Sequence, residues 1–152
     1  MISLHKTNKP MTISLYKAGK ETHLEWLPKT ASTAYTFNDL VSFDTTGYLI
    51  KAVDGSTKHI MGLIQETVAS TDATNKKVPV LIPGPEAIFL CDVSTGTAAA
   101  EDVGQIVDID DENSIDINAS TYGIFLIVKI ISTTKVLCKW MAKSGPLSAT
   151  AA

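Results

Sequence analysis

Lys77 to Asp92 reads KVPVLIPGPEAIFLCD, two short apolar runs separated by Pro83-Gly84-Pro85. Proline lacks an amide donor and its ring collides with a preceding helical turn, so no helix crosses this point. The stretch is a strand, a hard corner and a second strand. The theme recurs on both sides. Upstream, Leu40 to Asp44 and Tyr48 to Val53 are joined by Thr45-Thr46-Gly47, where the glycine supplies the positive φ of a tight turn. Downstream, Gly123 to Ile131 and Val136 to Met141 are joined by Ser132-Thr133-Thr134-Lys135.

Between these pairs, Ile60 to Ile64 forms a further strand in which Gly62 marks a bulge or a close backbone approach. Gln105 to Asp110 and Asn113 to Asn118 alternate Val107, Ile109, Ile115 and Ile117 with polar residues, predicting a hairpin with an acid-rich outer face around Asp111-Glu112. Gly123 to Ile131 is the most apolar run and reads as a strand buried on both faces, with Val136, Cys138 and Trp140 facing inward across from it. Helical character is confined to Ser94 to Gly104, with Thr97 as a cap and Gly104 as a terminator. Ala69 to Lys76 is a polar loop, expected to be exposed and mobile.

About ten short strands predict an all-β fold, a compact barrel or sandwich with at most one short helix, because an open sheet of that length exposes edges. A chain of 152 residues suffices for one domain with a real core. An apolar fraction of 45% excludes wholesale disorder. Residues 1–37 differ from the rest: they are polar and carry five lysines, with period-two alternation only at Ile13 and Leu15 and at Leu24 and Trp26. That alternation fits edge strands of the domain or an arm that pairs with a neighbour. Pro28 to Thr36 is a Ser/Thr/Ala-rich linker, which divides the chain into an N-terminal arm and linker (1–37), a β body (38–142) and a flexible tail (143–152).

Charge is uneven. Against the lysines of residues 1–37, Glu86 to Asp116 carries nine acids and no lysine. No arginine occurs anywhere, which argues against bidentate phosphate or guanine recognition and hence against a nucleic-acid partner. No apolar run is long enough for a signal peptide or a membrane span, so no membrane partner is expected. Cys91 and Cys138, each within an apolar strand, read as buried free thiols.

Asp108, Asp110, Asp111, Glu112 and Asp116 are the best metal candidates, but they lack the glycine and glutamate spacing of a calcium loop and read as a solvated hairpin face. His5, His23 and His59 lie in no nucleophile motif, and Glu66 with Glu86 have no fixed separation. No cofactor and no enzymatic activity are expected. A structural or binding role is.

The runs Asp39-Leu40-Val41-Ser42-Phe43, Tyr48-Leu49-Ile50-Lys51-Ala52, Ile60-Met61-Gly62-Leu63-Ile64 and Val78-Pro79-Val80 through Val93 have a familiar order. With Glu101 to Asp108 and the closing turn Ile131 to Val136, they make the body resemble the small capsid decoration proteins of tailed bacteriophages, also called cement or head-stabilising proteins. The resemblance spans about Asn38 to Trp140 and transfers no individual site residue.

It implies a β domain on the exterior of the virion, often a trimer, with the major capsid protein as partner and an N-terminal arm engaging the shell. The arm residues expected at that interface are Leu4, Lys6, Lys9, Ile13, Leu15, Tyr16, Lys17 and Lys20, the apolar ones to add a strand to a capsid edge and the lysines to meet an acidic surface. On this reading, deleting residues 1–20 leaves a folded body that no longer decorates heads. The alternative is a carbohydrate-binding or adhesive β module, using Tyr16, Trp26, Tyr35, Tyr48 and Tyr122 to stack on sugars.

Overall fold

The structure is a computed structural model and describes residues 11–55 and 58–141. Eleven strands and one short 3-10 turn at Ala100–Asp102 make up the regular structure, so the all-β expectation holds. The strands are β1 (Ile13–Lys17), β2 (His23–Pro28), β3 (Leu40–Phe43), β4 (Leu49–Lys51), β5 (Gly62–Ile64), β6 (Lys77–Ile82), β7 (Ile88–Thr95), β8 (Ile106–Asp111), β9 (Ser114–Asp116), β10 (Phe125–Ser132) and β11 (Lys135–Trp140).

The Pro83 corner does more than turn the chain. β6 and β7 belong to different sheets, so the corner carries the chain from one to the other. One sheet runs β1-β7-β11-β10-β8-β9 and closes on itself because the C-terminal half of β7 also pairs in parallel with β9, Val93 opposite Ile115. Five strands thus form a closed barrel, and β1 lies along the N-terminal half of β7, Ile13 opposite Cys91 and Leu15 opposite Phe89. Closure removes edges that would otherwise recruit other chains. The second sheet runs β2-β6-β5-β3-β4, and an isolated bridge from Lys29 to Leu49 brings its two ends together.

Each sheet has its own core. Phe89, Phe125 and Trp140 form an aromatic trio in the barrel, with ring centroids 5.4–5.8 Å apart. Around it sit Ile13, Cys91, Ile109, Ile115 and Cys138, and Leu40 and Leu63 of the second sheet join the same cluster. Their neighbours Val41 and Ile64 point to the opposite face and bury against Tyr35, Leu49, Val68, Val78 and Val80. The second sheet is therefore buried on both faces at its centre, which explains its short, mostly apolar strands.

Several expectations are corrected. Of the two readings open for the alternating patches of residues 1–37, residues 13–28 follow that of edge strands and not that of a free arm: they supply a strand to each sheet, because Ile13 and Leu15 find an apolar partner face on this chain's own β7. The linker reading of residues 28–36 fails as well. Tyr35 is fully buried and donates its hydroxyl to the Leu49 carbonyl at 2.6 Å, while burial pushes its pKa up. The buried Lys29 ammonium donates to the carbonyls of Asp72 (3.1 Å) and Thr74 (2.7 Å), so the polar loop 69–76 is exposed at its surface but pinned from beneath. β10 is buried only in its first half, at Phe125 and Ile127 with Leu126 half-buried; past the pairs that Phe125 and Leu126 make with β8 it opens, and Val128 and Ile131 are exposed. The cap of the 3-10 turn is not Thr97: the Asp102 carboxylate accepts the Ala99 amide at 2.8 Å. Residues 143–152, expected to be a tail, lie outside the described residues.

Candidate interaction surface

β1 and β2 are joined by a corner at Ala18–Thr22 that stacks on the corner between β6 and β7. The two corners have the same local chemistry. Gly19-Lys20-Glu21 and Gly84-Pro85-Glu86 each form a turn closed by an amide three residues on, Thr22 to the Gly19 carbonyl and Ala87 to the Gly84 carbonyl, both 3.3 Å. Glu21 (φ 65°) and Glu86 (φ 70°) take the left-handed third position that such turns usually give to glycine. The glycines are needed for contact between the corners. A Cβ on Gly19 would stand 1.9 Å from the Pro85 carbonyl oxygen, and one on Gly84 would stand 1.6 Å from that of Lys20. The Gly84 amide donates to the Thr22 hydroxyl across the junction at 3.0 Å.

A cleft of about 570 Å³ opens beside the stacked corners, lined by Lys17–Glu21, Pro85, Glu86 and Ile88. Lys17 and Lys20 are exposed at its rim, and Tyr16 stands next to it with 64% of its surface free. Glu86 is shared with Lys139 at 3.3 Å. The cleft is thus amphipathic, with cations in excess on the β1 side.

Beyond the corner, β2 forms the outer strand of the second sheet. Its backbone geometry follows from β6. Pro79 has no N–H, and its carbonyl accepts the Gln65 amide at 2.8 Å on the β5 side. The Leu81 carbonyl also faces β5, so close to Gly62 that a Cβ there would stand 1.9 Å away, which bears out the close approach expected at that glycine. Opposed residues in an antiparallel pair alternate between bonded and non-bonded, so Trp26 opposite Pro79 and Leu24 opposite Leu81 are non-bonded pairs. Leu24 and Trp26 therefore turn their own N–H and C=O groups away from β6. Their side chains are 52% and 59% exposed. On the other face of β2, His23 Nε2 lies 3.1 Å from the Glu25 carboxylate, and the Glu21 carbonyl bonds Nδ1 at 2.8 Å; that carbonyl first, and Glu25 with it, raise the imidazole pKa.

The residues expected at an interface separate cleanly. Tyr16, Lys17 and Lys20 are all exposed, and Lys17 and Lys20 line the same cleft. Ile13 is fully buried in the barrel core and Leu15 packs half-buried against it, so neither is free to add a strand to another chain. Leu4, Lys6 and Lys9 lie outside the described residues. The alternation of Leu24 and Trp26 that marks the open edge was visible in the sequence, as was the repeated Gly-x-Glu of the two corners. Of the aromatics considered for sugar stacking, Tyr35 is buried, Tyr122 is half-buried, and Tyr48, Tyr16 and Trp26 are exposed, the last two most of all.

Other candidate groups are occupied in the fold. Asp108 is fully buried, contrary to the outer face expected for it, and its Oδ1 accepts the amides of Tyr122 (2.9 Å) and Gly123 (2.8 Å). Asp111 and Asp116 accept the amides of Asn113 and Asn118 in the following turns. Among the described residues no three His, Cys, Asp or Glu side chains are placed to hold a metal ion. Glu66 is paired with Lys76 at 2.8 Å. Cys91 and Cys138 are free and buried, and burial, with Cys138 alongside, pushes the Cys91 thiol up. No helix among the described residues is long and apolar enough to cross a membrane. No protein-family model matches this chain, and no curated protein matches it.

Proposed function

We propose that this protein is a virion structural protein that binds the outer surface of a tailed-phage head and stabilises the assembled shell, with the major capsid protein as its partner. The observation that carries the reading is the stacked corner. It displays Lys17 and Lys20 on an amphipathic cleft, with Tyr16 exposed at the end of the same strand, and is held by two strands that run into separate cores. A rigid surface of this kind suits cement chemistry, in which many copies each make a modest contact and the shell gains from their number. The lysines suit an acidic shell surface and steer the encounter.

The test is co-sedimentation with undecorated heads. Binding that saturates at a fixed ratio to the major capsid subunit is expected, and it weakens with salt because the cations are exposed. Lys17→Glu with Lys20→Glu should lower binding about tenfold or more, by removing and then reversing two charges. Removing residues 1–10 takes away Leu4, Lys6 and Lys9 without touching β1, and so separates their part from that of the corner. A chain that never pellets with heads overturns the reading.

A second reading, a carbohydrate-binding module, is favoured by one observation: Trp26 lies more than half exposed on a sheet edge, where an indole can stack on a sugar face. Hits on a glycan array that are lost in Trp26→Ala would establish it.

A further inference from the structure

We infer that the open edge of β2 pairs with β2 of a second copy of this chain, antiparallel and about a two-fold axis that passes through Leu24. The inference is independent of the capsid reading. Where the resemblance implies a trimer, this edge implies a two-fold pair.

Exposed edge strands are usually guarded by an outward lysine, a proline or a bulge. Residues 23–27 contain none of these: Pro28 stands at the end of the strand, and the lysine that follows it is buried. Leu24 and Trp26 instead direct their backbone donors and acceptors outward and place large apolar side chains beside them. The edge offers both parts of strand addition, main-chain bonds for affinity and side chains for register.

Charge selects the occupant and the register. A two-fold through Leu24 sets Leu24 against the partner's Leu24 as a hydrogen-bonded pair, which its outward N–H and C=O require. His23 then falls opposite the partner's Glu25, and Glu25 opposite the partner's His23. Both are non-bonded pairs, in which side chains approach more closely. With the contact already present between His23 and Glu25 within each chain, imidazoles and carboxylates alternate around one face of the junction, paired through their hydrogen bonds and opposite in sign whenever His23 carries its proton. On the other face Trp26 lies diagonal to the partner's Leu24, at about 7 Å, so four apolar side chains become contiguous. The neighbouring two-fold registers do worse. Centring on Glu25 sets like carboxylates opposite each other, and centring on Trp26 sets Glu25 against the partner's Leu27. The Thr22 amide is already held by Gly19, so the ladder is short and the association concentration-dependent.

Light scattering across a concentration series tests the pair directly. The mass should climb from the 16.3 kDa of one chain towards twice that value as the concentration approaches about 1 mM. Leu24→Lys sets two ammonium groups against each other on the axis and should hold the mass at one chain. Ile131→Lys, at a comparably exposed site on β10, should leave the association intact. Glu25→Lys should weaken association about tenfold or more, and His23→Glu added to Glu25→Lys should restore it, since the swap recreates alternating charge. Hydrogen exchange adds a local readout: the Leu24 amide should become protected only at high concentration. A wild-type mass that stays at one chain throughout, an assembly of three chains, or an assembly that survives Leu24→Lys would each overturn the pair. Failure of the charge swap while Leu24→Lys dissociates the protein overturns the register. A monomer that loses binding to heads on Leu24→Lys also overturns the pair and assigns the edge to a strand of the shell.

Discussion

β1 and β2 begin alike and end differently. Each alternates two apolar residues with polar ones, each is an outer strand of its sheet, and they are joined by a single corner. Yet Ile13 is fully buried, with Leu15 packed against the same core, while Leu24 and Trp26 remain more than half exposed. The difference lies in what stands behind the partner strand. β1 lies on β7, whose Phe89 and Cys91 face the interior of a closed barrel, so its apolar face is covered by the far wall. β2 lies on β6 as the outer strand of the second sheet, and neither core cluster reaches Leu24 or Trp26. Alternation determines which side chains share a face. It says nothing about whether anything lies on that face.

The largest expected effect measures that difference directly. Ile13→Ala should cost about 2–5 kcal/mol, the usual range for truncating a fully buried aliphatic side chain. Leu24→Ala should change stability by no more than about 0.5 kcal/mol, as for an exposed site. Urea denaturation with matched slopes compares the two, and equal costs would break the comparison. For the same reason, deleting residues 1–20 should unfold the barrel rather than leave the intact body that an arm reading implies.

β2, whose Leu24 and Trp26 are uncovered, is held at its end, where Leu27 packs against the core of the second sheet. Lys29 follows the strand, buries its whole side chain and satisfies the carbonyls of Asp72 and Thr74. Lys29→Ala should leave the Thr74 carbonyl without its ammonium partner and the Asp72 carbonyl with the Ser32 amide alone, at a cost of about 1–3 kcal/mol. Faster proteolysis within residues 69–76 would be the local sign that the loop has been released. Smaller again is the backbone signature. In dilute solution the amides of Leu24 and Trp26 should exchange faster than those of Glu25 and Leu27, since only the latter pair face β6. Uniform protection along β2 would refute the alternation derived from Pro79.

Most of the strands were legible because local rules specify them. The corner at Pro83-Gly84-Pro85, the turn at Thr45-Thr46-Gly47 and the hairpin between β10 and β11 are each fixed by residues within a few positions of one another. What was not legible depends on long-range closure. The parallel contact of Val93 with Ile115 that shuts the barrel, the division of β6 and β7 between two sheets, and the burial of Tyr35 in a segment that reads as a linker have no local signal. The interface residues divided the same way. Tyr16, Lys17 and Lys20 reach the surface because their charge or position keeps them there, whereas Ile13 and Leu15 were assigned outward only because β7 was not known to be their partner.

The smallest effect separates the two ends of β2 by pH. At its start, the Glu21 carbonyl and then Glu25 raise the pKa of His23 above its ordinary 6.5. A group raised on folding binds its proton more tightly in the native state, so its contribution is complete below pH 6.5 and disappears as pH climbs through the raised value. Past its end, the hydroxyl and amide of Thr74, with Lys29 and Lys76 behind them, lower Asp72 from 3.8 to about 2. A lowered carboxylate has the opposite sign: its contribution is complete above pH 3.8 and is lost as pH falls towards about 2. Stability measured against pH should therefore decline gently on both sides of a plateau, for reasons that lie some fifty residues apart in sequence. His23→Gln should flatten the alkaline decline alone, and Asp72→Asn the acidic one alone. Both side chains are in contact with solvent, so each step should be small and should shrink further in salt. If His23→Gln altered the acidic limb, the two ends of β2 would be coupled, and the strand would have to be regarded as one unit rather than as an open edge tethered at its end.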